Sequence, residues 1–270
     1  PQPAGRDRLP RFAANVTTMF QEIDLPERFF AAQQCGFQAV EFLWPYAWPV
    51  DDIHHWLQDN NLELVLVNTP PGEGEMGLAA IPGKEETFQQ QFRMTLDYAS
   101  RLGASMIHLM AGQDSESVKA SESLFIEHVR WASDLARSSS IAILLEPLNT
   151  RDAPGYLHTR IDHTARLIDD IGRDNVKLQF DFYHRQLMEG DLATNLKRHF
   201  DIIGHVQFSS LPGRHEPQFG EVNMPYLFDY LDELGYTGWI GCEYSAKEDT
   251  RQGLVWGTAY GLGSSSTPEP

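Results

Sequence analysis

Short apolar runs alternate with longer amphipathic segments along the whole chain. Phe12–Asn15 precedes a helical pattern over Pro26–Gln34, and Ala39–Trp44 precedes one over Val50–Gln58. Leu62–Val67 is followed, after a Gly/Pro-rich stretch, by a long helical pattern over Lys84–Leu102. Ser105–Met110 leads to Ser121–Arg137, Ile141–Glu146 to Ile161–Ile171, and Val176–Phe182 to Leu192–Ile202. His205–Phe208 leads to Pro225–Leu234, and Gly238–Tyr244 closes the series with a last helix behind it. This gives eight strand–helix units over residues 11–261, about 31 residues each. Regular alternation at that spacing implies parallel strands joined by helical crossovers. Eight units predict an α/β fold with one closed (β/α)8 barrel as a single domain. An open doubly wound sheet would favour a glycine fingerprint after the first strand, and "NVTTMF" has none.

Glycines punctuate the pattern. Gly36, Gly103, Gly172, Gly204 and Gly235 each fall just before a strand, where a left-handed helix cap is expected. The longest loop, Thr69–Gly83, follows the third strand and reads either as a lid or binding loop or as a tolerated insertion. Residues 1–10 and 262–270 read as terminal tails.

Composition narrows the function classes. The chain has 270 residues, 41% of them hydrophobic, enough for one large core. Its 38 Asp and Glu outnumber 21 Lys and Arg, a net charge of −17 with no basic cluster, which argues against a nucleic-acid partner. An anionic substrate would therefore need local cations to overcome the global field. No apolar run reaches a membrane span and no signal peptide opens the chain, so no membrane association is expected. Two cysteines, Cys35 and Cys242, make no disulfide framework, and a reducing, cytoplasmic location is expected.

The candidate chemistry lies at strand ends. Glu146, Asp181, Gln207 and Glu243 fall near the ends of four consecutive strands, on the barrel face that carries active sites. Three carboxylates and an amide crowded there would repel, and a divalent cation resolves the conflict. All-oxygen ligation suits Mg²⁺ or Mn²⁺ better than zinc. The alternative is four separate residues, each bonded to its own loop. His184 lies three residues after Asp181, and Arg214 and His215 stand in the loop after the seventh strand. A guanidinium beside a metal suits a substrate carboxylate, although a surface salt bridge would explain Arg214 equally well. His108 reads as a packing residue. Glu41, amid apolar neighbours, would need a partner if it faces inward. On alternation, Cys242 faces the helices if Glu243 faces the axis. No Gly-x-Ser-x-Gly elbow and no GxxxxGK[ST] loop is present.

The blocks "FAANVTTMF", "AVEFLWPY", "LLEPLNTRDAPGY", "QFDFYHRQLMEGDL", "GHVQFSSLPGRHEPQFGEVN" and "GCEY" together resemble the hydroxypyruvate isomerase family of xylose-isomerase-like TIM barrels. The resemblance runs from about Arg11 to Gly253. It implies interconversion of hydroxypyruvate and tartronate semialdehyde, a small anionic oxo acid substrate. It places the metal ligands on Glu146, Asp181, Gln207 and Glu243, and the catalytic glutamates on Glu146 and Glu243. His184 and Arg214 match substrate-contacting positions of related sugar epimerases, with His215 as a helper. Those epimerases generally carry His at the position of Gln207. A 2-oxo-tetronate isomerase, a ketose 3-epimerase and a non-catalytic sugar-acid binder are the alternatives. Members of the superfamily often form dimers or tetramers, so a homo-oligomer is implied. Arg185 departs from the apolar residue expected there, with substrate fit as the expected consequence.

Overall fold

The computed structural model describes residues 10–113 and 118–263. Eight parallel strands close into a barrel in sequence order, and the last pairs with the first. They are β1 (Arg11–Asn15), β2 (Ala39–Glu41), β3 (Glu63–Asn68), β4 (Met106–His108), β5 (Ala142–Leu145), β6 (Val176–Asp181), β7 (Ile203–Phe208) and β8 (Trp239–Cys242). The helices are α1 (Leu25–Gln34), α2 (Val50–Asp59), α3 (Glu85–Leu102), α4 (Val118–Arg137), α5 (Ile161–Ile171), α6 (Phe182–Met188), α7 (Leu192–His199), α8 (Met224–Glu233) and α9 (Thr250–Gly253). The expected architecture is present. β2, β4, β5, β6 and β8 are shorter than their apolar runs, whose last residues lie past the ladder, whereas β1 and β7 start before theirs.

Alternation along each strand sorts the core into two layers. Phe12 and Phe208 point outward and meet Phe228 of α8 and Trp256, with ring centroids 4.9–6.0 Å apart in edge contacts. Cys242 lies in this outer layer, as alternation requires. Ala13, Ala39, Val65, Leu144 and Trp239 fill the barrel interior.

Three departures from the sequence pattern have physical reasons. Gly204 is no helix cap. It lies inside β7, where an added Cβ would sit 2.6 Å from Lys177 Cβ and 2.9 Å from Leu144 Cδ2. Phe182–Met188 forms a short helix, although its aromatics continue the β pattern. Asp181 accepts a hydrogen bond from the Tyr183 amide at 2.9 Å, an N-cap that ends the strand and starts α6. At the C-terminal side, Leu262 is buried and the Gly263 amide bonds the Cys35 carbonyl at 3.0 Å, so the chain is packed beyond the expected tail boundary. The remaining tail residues, 1–9 and 264–270, lie outside the described residues. No described helix is long and apolar enough to cross a membrane.

Candidate active site

Parallel strands deliver their carboxyl ends to one face, so residues just past β5, β6 and β8 become neighbours. Glu146 follows β5 and Asp181 ends β6; they are 4% and 1% exposed. Glu146 Oε1 and Asp181 Oδ2 are buried without a hydrogen-bond partner. Burial, and then the charge of Glu243, pushes the Glu146 carboxyl well above the usual range. Burial raises Asp181 too, against the opposing pull of Arg214. His108 of β4 lies beside Glu146, Nδ1 to Oε2 3.4 Å, with both ring nitrogens unpartnered. It lines the cavity, where the sequence suggested a packing role. Burial lowers its pKa to about 3, so it is a neutral ring.

His184 stands in the first turns of α6. Its Nδ1 accepts from the Asn149 backbone amide at 3.0 Å, with the Asn149 side chain 2.8 Å away. A backbone N–H is only a donor, so the neutral ring carries its hydrogen on Nε2. That Nε2 lies 3.6 Å from Asp181 Oδ2 and 4.0 Å from Glu146 Oε1. Burial, reinforced by Arg214, holds the imidazole well below its usual pKa. His184 is therefore a neutral donor aimed into the carboxylate cluster.

Arg214 and Glu243 complete the cluster. Arg214 Nη2 bonds Glu243 Oε2 at 3.1 Å, and its guanidinium lies over the Tyr183 ring, 4.4 Å from the centroid. Tyr183 donates its hydroxyl to Asp152 Oδ2 at 2.9 Å, and Asp152 lies 3.9 Å from Arg214 Nη1. Burial opposes the Arg214 charge, yet Glu243, Asp181 and Glu146 outweigh it and raise its pKa. Burial pushes Glu243 up to about 8, with Arg214 opposing.

Glu146, His108, His184, Asp152, Arg214 and Glu243 line a cavity of about 360 Å³ whose other wall is apolar, built by Leu43, Trp44, Pro71, Met76, Met110 and Leu148. Pro71 and Met76 come from the loop after β3. The rest of that loop is anchored: Leu78, Ala79 and Ala80 are buried, and the Ala80 amide bonds the Ala111 carbonyl at 2.7 Å. The loop is thus part of the cavity wall. A larger, open depression of about 900 Å³ around Arg11, His54 and Trp239 lies at the opposite face.

Three expected site residues do not line the cavity, although Asp181 keeps its place beside Glu146 and His184. His215 does not line it; its Nδ1 meets the Ser245 carbonyl at 2.9 Å. Gln207 is fully buried beneath it, beside Asp181 in the β6–β7 register. Its Oε1 accepts from Gln179 Nε2 at 2.5 Å and its Nε2 donates to Glu41 Oε2 at 2.9 Å. Arg185 is also absent from the cavity wall. It is 1% exposed and bonds the Pro147 carbonyl, the Thr159 carbonyl at 3.2 Å and Glu189 at 2.6 Å. The residues missed from sequence are His108, Asn149 and Asp152; only the polar string "NTRD" in the loop after β5 signalled the last two.

The donor set fits a cation. Ligand atoms of Glu146, Asp181 and His184 lie within 4.8 Å of one another. Buried carboxylate oxygens without partners are costly, and a divalent ion between Glu146 and Asp181 would satisfy both. With its hydrogen on Nε2, His184 would face that ion's other ligands as a donor rather than ligate it.

Residues 29–260 match the model of the xylose isomerase-like TIM barrel family. A 2-oxo-tetronate isomerase of Cupriavidus necator is 43% identical over 92% of this chain and 97% of its own length. The hydroxypyruvate isomerase of Escherichia coli is 40% identical over 93% of this chain and 99% of its own. A Brucella melitensis crystal structure described as an AP endonuclease of family 2 superposes with a TM-score of 0.91 at 44% identity, covering 93% of this chain and 99% of that one. A Clostridium cellulolyticum D-psicose 3-epimerase superposes at 0.75 with 18% identity, covering 91% and 90% of the two chains, which shows the shared fold alone.

Proposed function

The chain belongs to the xylose isomerase-like TIM barrels and is an isomerase related to the hydroxypyruvate and 2-oxo-tetronate isomerases, and from that premise we propose that it interconverts hydroxypyruvate and tartronate semialdehyde. The observation that carries this reading is one cavity holding two carboxyls, the buried Glu146 and the partly buried Glu243, beside an arginine that can bind a carboxylate. A three-carbon oxo acid needs both: a base and acid for the proton shift, and a cation for its acid group.

In this scheme the substrate carboxylate pairs with Arg214, which Tyr183 and Asp152 hold in place. One glutamate removes the proton from C3 of hydroxypyruvate, leaving an enediolate across C2 and C3. A proton then returns to C2 from the same or the other glutamate, and the hydroxyl hydrogen moves from the C3 oxygen to the C2 oxygen. The Nε2 hydrogen of His184 faces this region and donates to a developing oxygen charge. The apolar wall of Trp44, Met76 and Leu148 limits water around the enediolate. A divalent ion, Mg²⁺ or Mn²⁺, held by Glu146, Asp181, Gln207 and Glu243 would act as a Lewis acid toward the substrate oxygens. Residence in a reducing cytoplasm agrees with the two buried, unpaired thiols.

The test is proton NMR of hydroxypyruvate with the protein in D₂O, with EDTA and with metal restored. Product carrying solvent deuterium, lost with EDTA and regained with Mg²⁺ or Mn²⁺, supports the scheme. Product without deuterium points to a hydride shift. No product from folded, metal-loaded protein rejects the substrate. In that case a 2-oxo-tetronate is the next candidate, favoured by the Cupriavidus relative.

A further inference from the structure

Glu41 of β2 lies inside the barrel with no exposed surface, a costly place for a carboxylate unless it is paired. Three donors from two other strands converge on it: Asn15 Nδ2 at 3.0 Å, Gln207 Nε2 at 2.9 Å, and His205 Nε2. The carboxylate reaches across to β8 at Gly241, where an added Cβ would stand 2.1 Å from Glu41 Oε1. The barrel thus leaves a side chain out of β8 at the level where Glu41 crosses. The amide nitrogens of Asn15 and Gln207 can only donate, so each presents a hydrogen to the carboxylate. For Gln207 this fixes the amide. Its nitrogen faces Glu41 and its oxygen faces away, where Gln179 Nε2 occupies one of two lone pairs at 2.5 Å.

We infer that Glu41 is a positioning residue for the metal site: it locks the Gln207 amide so that the oxygen, and not the nitrogen, is offered to a divalent cation. This rests on the reading of Gln207 as a ligand. Without the Glu41 anchor the amide can turn over and present its NH₂, which cannot ligate. Partners of this kind, one bond behind the ligands, typically change metal affinity 10–100-fold.

The experiment is calorimetric titration of Mn²⁺ into the metal-free full chain as wild type, Glu41→Gln, Gln207→Met and the double variant, with circular dichroism on each. The expected result is a loss of affinity of about 10–100-fold for Glu41→Gln, a loss at least as large for Gln207→Met, and no further loss in the double variant. A general charge effect of Glu41 would instead persist in full on the Gln207→Met background, and such additivity overturns the proposal. Unchanged affinity in folded Glu41→Gln overturns it as well. Unchanged affinity in Gln207→Met shows that Gln207 is no ligand, which removes the premise and the proposal together. Should Glu41→Gln not fold, a crystal structure of the Mn²⁺-loaded wild type decides: Gln207 oxygen on manganese with its nitrogen on Glu41 supports the lock, and an amide turned from Glu41 rejects it.

Discussion

Glu243 stands between Arg214 and a group of buried carboxyls, and the two influences pull its proton in opposite directions. Burial wins in the metal-free protein, where the group titrates near 8 against an ordinary value of 4.5. The folded chain therefore holds a proton that the unfolded chain releases between those values. By linkage, metal-free stability declines as pH rises from about 4.5 through about 8. A metal must displace that proton, so its apparent affinity falls about tenfold per pH unit below 8 for each proton displaced. Thermal shift with and without Mn²⁺ at pH 6 and pH 8 checks both signs: the metal-induced rise is expected to be larger at pH 8. At the same scale, Glu146→Gln and Glu243→Gln each remove a proton-transfer group and are expected to lower kcat by about 10²–10⁴ while circular dichroism stays unchanged. A single-residue reading of the sequence found the carboxylates because a charge at the end of an apolar run is conspicuous. It did not find the role of His108, since an imidazole within a strand faces either layer with equal plausibility. Nor could it give the tautomer of His184, which depends on the Asn149 amide 35 residues away.

Between β5 and α6 a buried ion pair joins two elements that carry the carboxylates. Arg185 of α6 bonds the carbonyl of Pro147, the residue after Glu146, and Thr159 farther along the same loop. Glu189 accepts from Arg185 at 2.6 Å and from the Ile161 amide at 3.2 Å, where α5 begins. One guanidinium thus ties the loop after β5 to the helix after β6. Arg185→Met is expected to cost about 3 kcal/mol, since it leaves the Pro147 and Thr159 carbonyls without this donor and the Glu189 carboxylate with only the Ile161 amide and Arg160. Urea unfolding measures this, and Arg185→Met with Glu189→Leu is expected to recover part of the loss. The family resemblance marked Arg185 as a departure and suggested substrate fit; the structure places it away from the cavity wall instead. Its partners are four, 26 and 38 residues away, and only the first separation is legible on a helix. The same limit explains why the apolar run takes in Phe182 and why no helix is predicted over Phe182–Met188. Phe180, Phe182 and Tyr183 favour a pleated surface, and the Asp181 cap that overrides them is set by the barrel's end.

At the scale of the whole molecule, the alternation of strands and helices predicts a parallel sheet, and the count of eight units with no glycine fingerprint after the first strand favours its closure into a barrel over an open sheet. Closure also brings Glu41 to His205 and Gln207, 164 and 166 residues along the chain, pairings that no local pattern encodes. The seam where β8 meets β1 has a consequence for how the molecule breathes. Cys242 pairs in register with Ala14 across that seam and has no exposed surface, while Cys35, at the end of α1, is 6% exposed. Because Cys242 points into the outer layer, a thiol reagent can reach it only when the helices packed over β8 lift, so its labelling rate is a clock for that opening. Cys35 is expected to label first, and bound metal, by bracing the neighbouring Glu243, to slow the Cys242 clock and leave that of Cys35 nearly unchanged. Mass spectrometry of the two cysteine peptides over time reads both hands of that clock in one native sample.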